Sequence, residues 1–389
     1  MKIPPRRSCT LLLALLFATG VRTVYADHVD DVIAAEMKAR GIPGVALAVI
    51  DGGAIVREQG YGYSDKARKA PVTPSTLFQA ASVSKPVAAL GALHLVEQGK
   101  VSLDEDVNSK LRGWHIPQNN FTREHSVTLR LILSHSAGFT VHGFCGYARD
   151  APIPSLLQIL NGQRPANSAP IRVDKVPGSE WRYSGGGYVV MQQLVADLTG
   201  EPFPSYMEKT VLKPLEMRSS TYLQLLPNAL AGRVATGYTG PFHTAVKDRW
   251  RIHPELAAAG LWTTAGDLAR FAIGIQRSLA GTSNPVISQS MTREMLTRQS
   301  DDSGLGFFLG GNPLKFDHNG DNRGFNSVMV AFAEIGQGAV ILMNANTHIE
   351  ALENILVEAI GEQYHWPGYR PLAPAPNQAM QLTAGRHEK

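Results

Sequence analysis

Ser82 and Lys85 stand three residues apart in the stretch Gln79-Ala80-Ala81-Ser82-Val83-Ser84-Lys85-Pro86. Proline is tolerated only in the first turn of a helix, so Pro86 places a helix start near Ser82 to Ser84, running through the apolar residues to Gln98. Ser82 and Lys85 then share a face one turn apart, with the positive end of the helix beside the hydroxyl. A serine hydroxyl is a poor nucleophile until a neighbour takes its proton, and a desolvated lysine can do that. Alone the pair carries little, because a serine at a helix start more often caps it.

Two further clusters add weight. Tyr183-Ser184-Gly185-Gly186-Gly187 precedes a helix on a glycine-rich turn. A cation that lowered the Tyr183 phenol would let it share the Ser82 proton; otherwise the ring only packs. His318-Asn319-Gly320 ends a short strand and leads into Asp321-Asn322-Arg323-Gly324-Phe325. Gly320 would admit a substrate close to the strand backbone, and His318 or Arg323 could meet a carboxylate. The plain alternative is a tight turn between antiparallel strands. Other groups carry less: His142 and Cys145 lack a third partner for thiol catalysis, and His125, His135 and His142 lack metal-ligand spacing. No metal or cofactor is expected. His135 reads as a hydrogen-bonding residue that supports a turn, and Gly60-Tyr61-Gly62 and Gly304-Leu305-Gly306 as strand glycines rather than nucleotide loops.

The elements that must position these residues follow from the apolar pattern. Val29, Val32, Ile33 and Met37 predict a helix closed by Gly41 and Pro43. The apolar run Gly44 to Ile50, the turn Asp51-Gly52-Gly53 and Ala54-Ile55-Val56 predict a hairpin. Residues 103–251 hold helical pieces among long loops rich in Pro, Gly and Asn. Strands return at Leu305 to Leu309, Phe316 to His318, Asn326 to Phe332 and Ala339 to Met343, followed by a helix bearing Leu352, Ile355, Leu356 and Ile360. The expectation is an α+β fold: one antiparallel sheet built from both chain ends and flanked by helices, with an inserted all-helical region. The α/β part would span about 27–102 and 252–366, the helical insertion about 103–251, and a flexible tail 367–389.

Composition narrows the function classes. The 389 residues are 44% hydrophobic and 18% charged, which excludes disorder. No apolar run reaches the ~18–20 residues of a membrane span. Residues 1–26 read as a secretory signal: Lys2, Arg6 and Arg7, then Leu11 to Ala18, then Val24-Tyr25-Ala26 before Asp27. Cys9 precedes the apolar core, so it is no lipoprotein anchor. Beyond residue 26 the chain holds 33 basic and 33 acidic residues, with no basic stripe for nucleic acid. Cys145 is then the one remaining cysteine, so no intramolecular disulfide forms. Export to the periplasm or medium is expected.

In their order and separations, Ser82-x-x-Lys85, Tyr183-Ser184-x and His318-x-Gly320 resemble the motifs of the serine penicillin-recognising enzymes, in particular the class C β-lactamase-like branch. That branch includes cephalosporinases, D-Ala-D-Ala carboxypeptidases, D-amino-acid peptidases and carboxylesterases. Leu131 to Phe139, Gly260 to Thr264 and Asp267 to Phe271 also look like the family, and the likeness runs from about residue 29 to 363. The resemblance implies a β-lactamase/transpeptidase-like fold with the site in the cleft between sheet and helical region. It also implies an acyl-enzyme on Ser82, proton transfer by Lys85 and Tyr183, and an oxyanion hole from the backbone N–H groups of Ser82 and Asp321. The substrate would be a small ester, peptide or β-lactam, met by Gly185, His318, Gly320 and Arg323. Two departures stand out: Gly185 replaces the Asn of the cephalosporinases, and His318-Asn319-Gly320 replaces Lys-Thr-Gly. Two other classes compete with turnover: a sensor that acylates on Ser82 and stalls, and a structural protein that keeps only the fold. The sequence sets no oligomeric state.

Overall fold

A computed structural model describes residues 28–283, 285–346 and 350–369. The expected leader, its cleavage point at Ala26, and the tail from residue 370 lie outside the described residues. The chain opens with α1 (His28–Arg40), then β1 (Gly44–Asp51), β2 (Ala54–Asp65), β3 (Ala70–Pro71) and β4 (Phe78–Gln79). A single 3-10 turn, Ala81–Val83, runs into α2 (Ser84–Glu97). The middle of the chain supplies α3 (Leu129–Leu133), α4 (Leu156–Asn161), α5 (Gly185–Thr199), α6 (Phe203–Met207) and α7 (Asn228–Ala231). A small hairpin, β5 (Tyr238–Thr239) and β6 (Thr244–Ala245), follows, then α8 (Leu256–Ala259), β7 (Trp262–Thr263), α9 (Ala265–Leu279) and α10 (Gln289–Met295). The end returns to strands β8 (Phe308–Gly310), β9 (Lys315–Asn322), β10 (Phe325–Phe332) and β11 (Gly338–Met343), closed by α11 (Glu350–Gln363).

Seven strands form one antiparallel sheet in the order β3-β2-β1-β11-β10-β9-β8. The first and last parts of the chain meet at its centre, where β1 pairs with β11 from Val45 opposite Met343 to Ile50 opposite Gly338. That is the expected α+β architecture, except that the region 103–251, expected to be all helical, also holds the β5–β6 hairpin. It also explains why β1 reads as unbroken apolar sequence: Val45 to Ile50 are buried on alternating sides, each against a helix layer. Leu47 and Val49 face α1 and α11 with Val29, Ile33, Leu352, Leu356 and Ile360. Ala46, Ala48 and Ile50 face the larger core of α2, α5 and α9. Truncating Leu47 to Ala at such a site costs about 2–5 kcal/mol.

Two boundaries differ from the sequence expectation. Gly304-Leu305-Gly306 lies before β8 rather than in a strand; Leu305 N donates to Met295 O, and Gly306 takes a φ of +103°. The packed chain also passes residue 366, because Trp366 is buried against Phe332 and Tyr369 packs on Trp366. The described part of the C-terminal stretch is therefore pinned by two aromatic rings.

Candidate active site

The turn that carries Ser82 is held from several directions. Ala80 N donates to Leu261 O at 2.9 Å, Leu261 N donates to Ser84 Oγ at 3.0 Å, and Ser327 Oγ donates to Ala80 O at 2.7 Å. Ala81, the residue before Ser82, sits at a φ of +47°, a left-handed conformation that a Cβ disfavours and that the surrounding bonds impose. Strand β9 presses directly on this turn. A Cβ on Gly320 would lie 2.5 Å from Ala80 O and 2.7 Å from Ser82 N. Gly320 is thus required by the serine turn itself, in addition to bordering the cleft.

Ser82 is half-buried and Lys85 is 2% exposed. Lys85 Nζ lies 3.0 Å from Ser82 Oγ and donates to Ala258 O at 2.8 Å. The Ala258 carbonyl is aimed by α8, whose Ala257 N donates to Gln192 Oε1 of α5 at 3.1 Å. Burial disfavours the ammonium and brings the Lys85 pKa down to about 7. Neutral amine is therefore abundant at neutral pH, next to the hydroxyl.

Tyr183 comes to the same point from the helical region. The Lys85 ammonium is 4.9 Å from its ring centroid, and the Ser82 side chain is near enough to favour ionisation of its phenol. The sequence reading required a cation to lower this phenol. Instead, burial outweighs the influence of Ser82 and raises the Tyr183 pKa well above its ordinary value. Tyr183 is a neutral phenol in this site, able to give a proton rather than take one.

His135 accounts for the placement of Tyr183. Arg182 N donates to His135 O at 2.7 Å, and Ser184 N donates to His135 Nδ1 at 3.1 Å, so both neighbours of Tyr183 are tied to one residue. The His135 ring lies 4.3 Å from the Tyr183 ring at 30°. Burial, with the nearby Lys85, His318 and His142, holds the His135 pKa well below the usual range, which keeps the Nδ1 lone pair free to accept. The turn-supporting role read for His135 is the one it has, with Tyr183 at the apex. Ser184 continues the anchoring as the cap of α5, its hydroxyl accepting from Gly187 N at 3.1 Å.

A cleft of about 1100 Å³ opens over Ser82, Tyr183, Gly320 and Asp321. His142, Trp181, Tyr183 and Phe308 form an aromatic wall on one side, while Asn319, Asn326, Asn346, Glu353 and Arg40 line the other. His318 does not line it. The side chain is 2% exposed, its Nδ1 lies 2.5 Å from Asn319 O, and burial together with Lys85 pushes its pKa down to about 3. A buried neutral imidazole is no anchor for a carboxylate, so that role is withdrawn. Arg323 is exposed in the turn between β9 and β10, outside the cleft lining, because the strand ends before it. Gly185 is buried at the start of α5; a side chain there would reach His142 O at 3.0 Å and the Phe144 ring at 3.1 Å. The loop bearing His142 and Gly143 meets the cleft in its place. Sequence reasoning missed Trp181 and Phe308, although Trp181 stands two residues before Tyr183. Cys145 is exposed, and among the described residues no group of three or more His, Cys, Asp or Glu is placed to hold a metal.

Comparison with known proteins bears on the family and the fold. The Beta-lactamase family profile matches residues 29–361. The flp protein of Staphylococcus aureus (strain N315) is 23% identical over 330 residues, covering 82% of this chain and 63% of that protein. The chain thus spans less than two thirds of that relative. PbpX of Bacillus subtilis (strain 168), named as a penicillin-binding protein, is 26% identical over 311 residues, covering 79% of this chain and 72% of PbpX. An octameric penicillin-binding protein homologue from Pyrococcus abyssi superposes with a TM-score of 0.72 at 21% identity, over 93% of this chain and 81% of the other. A family match across most of the chain, on a fold shared with that homologue, leads to one conclusion: the chain belongs to the Beta-lactamase family.

Proposed function

We propose that this protein is an exported serine hydrolase that cleaves a small ester, amide or lactam through an acyl-enzyme on Ser82. The observation that carries the reading is the 3.0 Å approach of a buried Lys85 amine to Ser82 Oγ. Lys85, as neutral amine, takes the hydroxyl proton while Oγ bonds to the carbonyl carbon. The oxyanion then forms beside the backbone N–H groups of Ser82 and Asp321. Tyr183, as neutral phenol, gives a proton to the leaving group and recovers one through Lys85. Water then attacks the acyl carbon as neutral Lys85 takes its proton, and Lys85 returns that proton to Ser82 Oγ as the ester bond breaks. The opposite pKa directions of Lys85 and Tyr183 favour this division of roles over a phenolate base.

The alternative is a sensor that acylates and stalls. Both proton-transfer groups stand at Ser82, which favours turnover. Penicillin and D-Ala-D-Ala substrates are less favoured, because His318 is buried and neutral where a carboxylate anchor would be needed. A panel of p-nitrophenyl esters, a chromogenic cephalosporin and D-Ala-D-Ala peptides separates these readings. Steady turnover of at least one ester, abolished in Ser82→Ala, is expected; a single stoichiometric burst with no turnover would establish the sensor. Export is checked by mass spectrometry of secreted or periplasmic protein, whose first residue should be Asp27.

A further inference from the structure

Three half-buried rings line one side of the cleft in a row that starts at Ser82. Lys85 Nζ links the serine to the first ring, 3.0 Å from Ser82 Oγ and 4.9 Å from the Tyr183 centroid. Phe308 of β8 comes next, its centroid 6.3 Å from that of Tyr183 with the planes 26° apart, and Trp181 follows at 6.4 Å from Phe308. The row is fixed to the serine turn from the sheet as well. Phe308 packs on His318 at 5.0 Å, and His318 shares the buried face of β9 with Gly320, which abuts Ala80 O and Ser82 N.

What this wall offers is carbon. The one polar atom of the Trp181 side chain is taken up, since its indole N–H donates to Ser303 Oγ at 2.7 Å, and Phe308 has none. Ser303 is buried, so that bond anchors the indole to the packed part of the fold. Aromatic faces left open in a cleft gain most from a flat apolar partner, through area removed from water and through ring–ring contact. The side of the substrate that meets them follows from the proton path. A phenol at Tyr183 that protonates the departing oxygen or nitrogen has the leaving group beside it, and the rings beyond Tyr183 are Phe308 and Trp181.

We infer that the leaving group of the substrate carries an aromatic ring, or an equally flat apolar group, that packs on Phe308 and Trp181. This deepens, and rests on, the reading of Ser82 as the acylated residue and of Tyr183 as the proton donor to the leaving group. The test uses the intact chain and acetate esters of alcohols that end in phenyl, straight alkyl or methoxy, on one common alkyl spacer so that the leaving alcohols are equally acidic. A second series places the same ends on the acyl chain of methyl esters. The quantity read is kcat/KM, which covers acylation, the step in which the leaving group is still bound. In the first series the phenyl ester should exceed both others by about tenfold or more, and the ring should matter less in the second. Phe308→Ala and Trp181→Ala should each bring the first-series ratio towards one. A phenyl ester no better than the alkyl or methoxy ester in the first series overturns the inference. So does a ring preference as large on the acyl side, or a ratio unchanged in both folded variants. If neither variant folds, the two wild-type series decide. Two controls separate this failure from that of the reading beneath it. Ser82 labelled by a fluorophosphonate with the wrong ester preference sinks only the substrate class, whereas unlabelled Ser82 sinks the acyl-serine. Tyr183→Phe should cost less on p-nitrophenyl acetate, whose leaving group departs without a proton, than on the alkyl esters; equal loss on both sinks the donor assignment.

Discussion

Lys85 Nζ lies 3.0 Å from Ser82 Oγ, and the lysine is almost wholly buried. Burial both brings the amine to the hydroxyl and strips its proton near neutral pH. The first prediction follows from that coupling. The rate kcat/KM should rise through about pH 7 as Lys85 becomes neutral. Lys85→Ala should lower kcat by roughly 10²-fold or more and erase that limb, with a smaller change in KM. A profile flat from pH 6 to 8 in the wild type would remove Lys85 as the base.

The same burial makes Lys85 a cost to the fold. The unfolded chain holds the lysine proton up to about pH 10.4, whereas the folded chain releases it near 7. Between these values the unfolded state binds more protons, so the Lys85 contribution to stability rises with pH; below about 7 the full cost is present. Lys85→Met keeps the side-chain length and removes the charge. Its stability relative to wild type should therefore be greatest near pH 6 and decline by a few kcal/mol, as an order of magnitude, towards pH 10. Denaturant melts at a series of pH values measure the difference, and a constant offset would contradict the shifted lysine.

Tyr183 depends on His135. His135→Ala would leave Ser184 N without its acceptor and take away the ring that packs against Tyr183. It should lower kcat by roughly tenfold to a hundredfold through misplacement of the phenol, with KM changed less. Asn at this position can accept from Ser184 N and tolerates the left-handed φ of +59° found there, so His135→Asn should restore much of the loss. Tyr183→Phe should be insensitive to either change, since the hydroxyl they position is gone. Equal loss in the Ala and Asn variants would assign His135 a packing role only.

Much of the fold was legible because the apolar pattern is strong where strands are buried on both faces, as from Val45 to Ile50 and from Phe325 to Phe332. The three motif clusters were legible for a different reason: Pro86 fixes where α2 starts, and the glycines at 185–187 mark the start of α5. What sequence left open was long-range. Nothing local says that β9 passes within contact of the Ser82 turn, so the demand that Ala80 O and Ser82 N place on Gly320 was not visible. Nothing local says that His318 is sealed from solvent, so it read as an anion anchor. The wall of Trp181 and Phe308 depends on strand register and on loops packed across the cleft, which no single segment encodes.

The close fit of β9 gives a sharp structural prediction. Gly320→Ala would drive a methyl group against Ala80 O and Ser82 N, both backbone atoms that cannot swing aside. It should lose activity by about 10²-fold or more, since small displacements of reacting groups carry such penalties. Overpacking should also destabilise the fold by about 1–3 kcal/mol. Near-normal activity and melting temperature in this variant would mean that β9 stands farther from the serine turn.

The most direct measurement is mass mapping of the covalent adduct formed with a fluorophosphonate probe on wild type, Lys85→Ala and Ser82→Ala. One adduct per chain is expected, on Ser82, formed much more slowly in Lys85→Ala and absent in Ser82→Ala. An adduct on Ser134 or Cys145, or labelling that persists in Ser82→Ala, would contradict the acyl-serine role of Ser82.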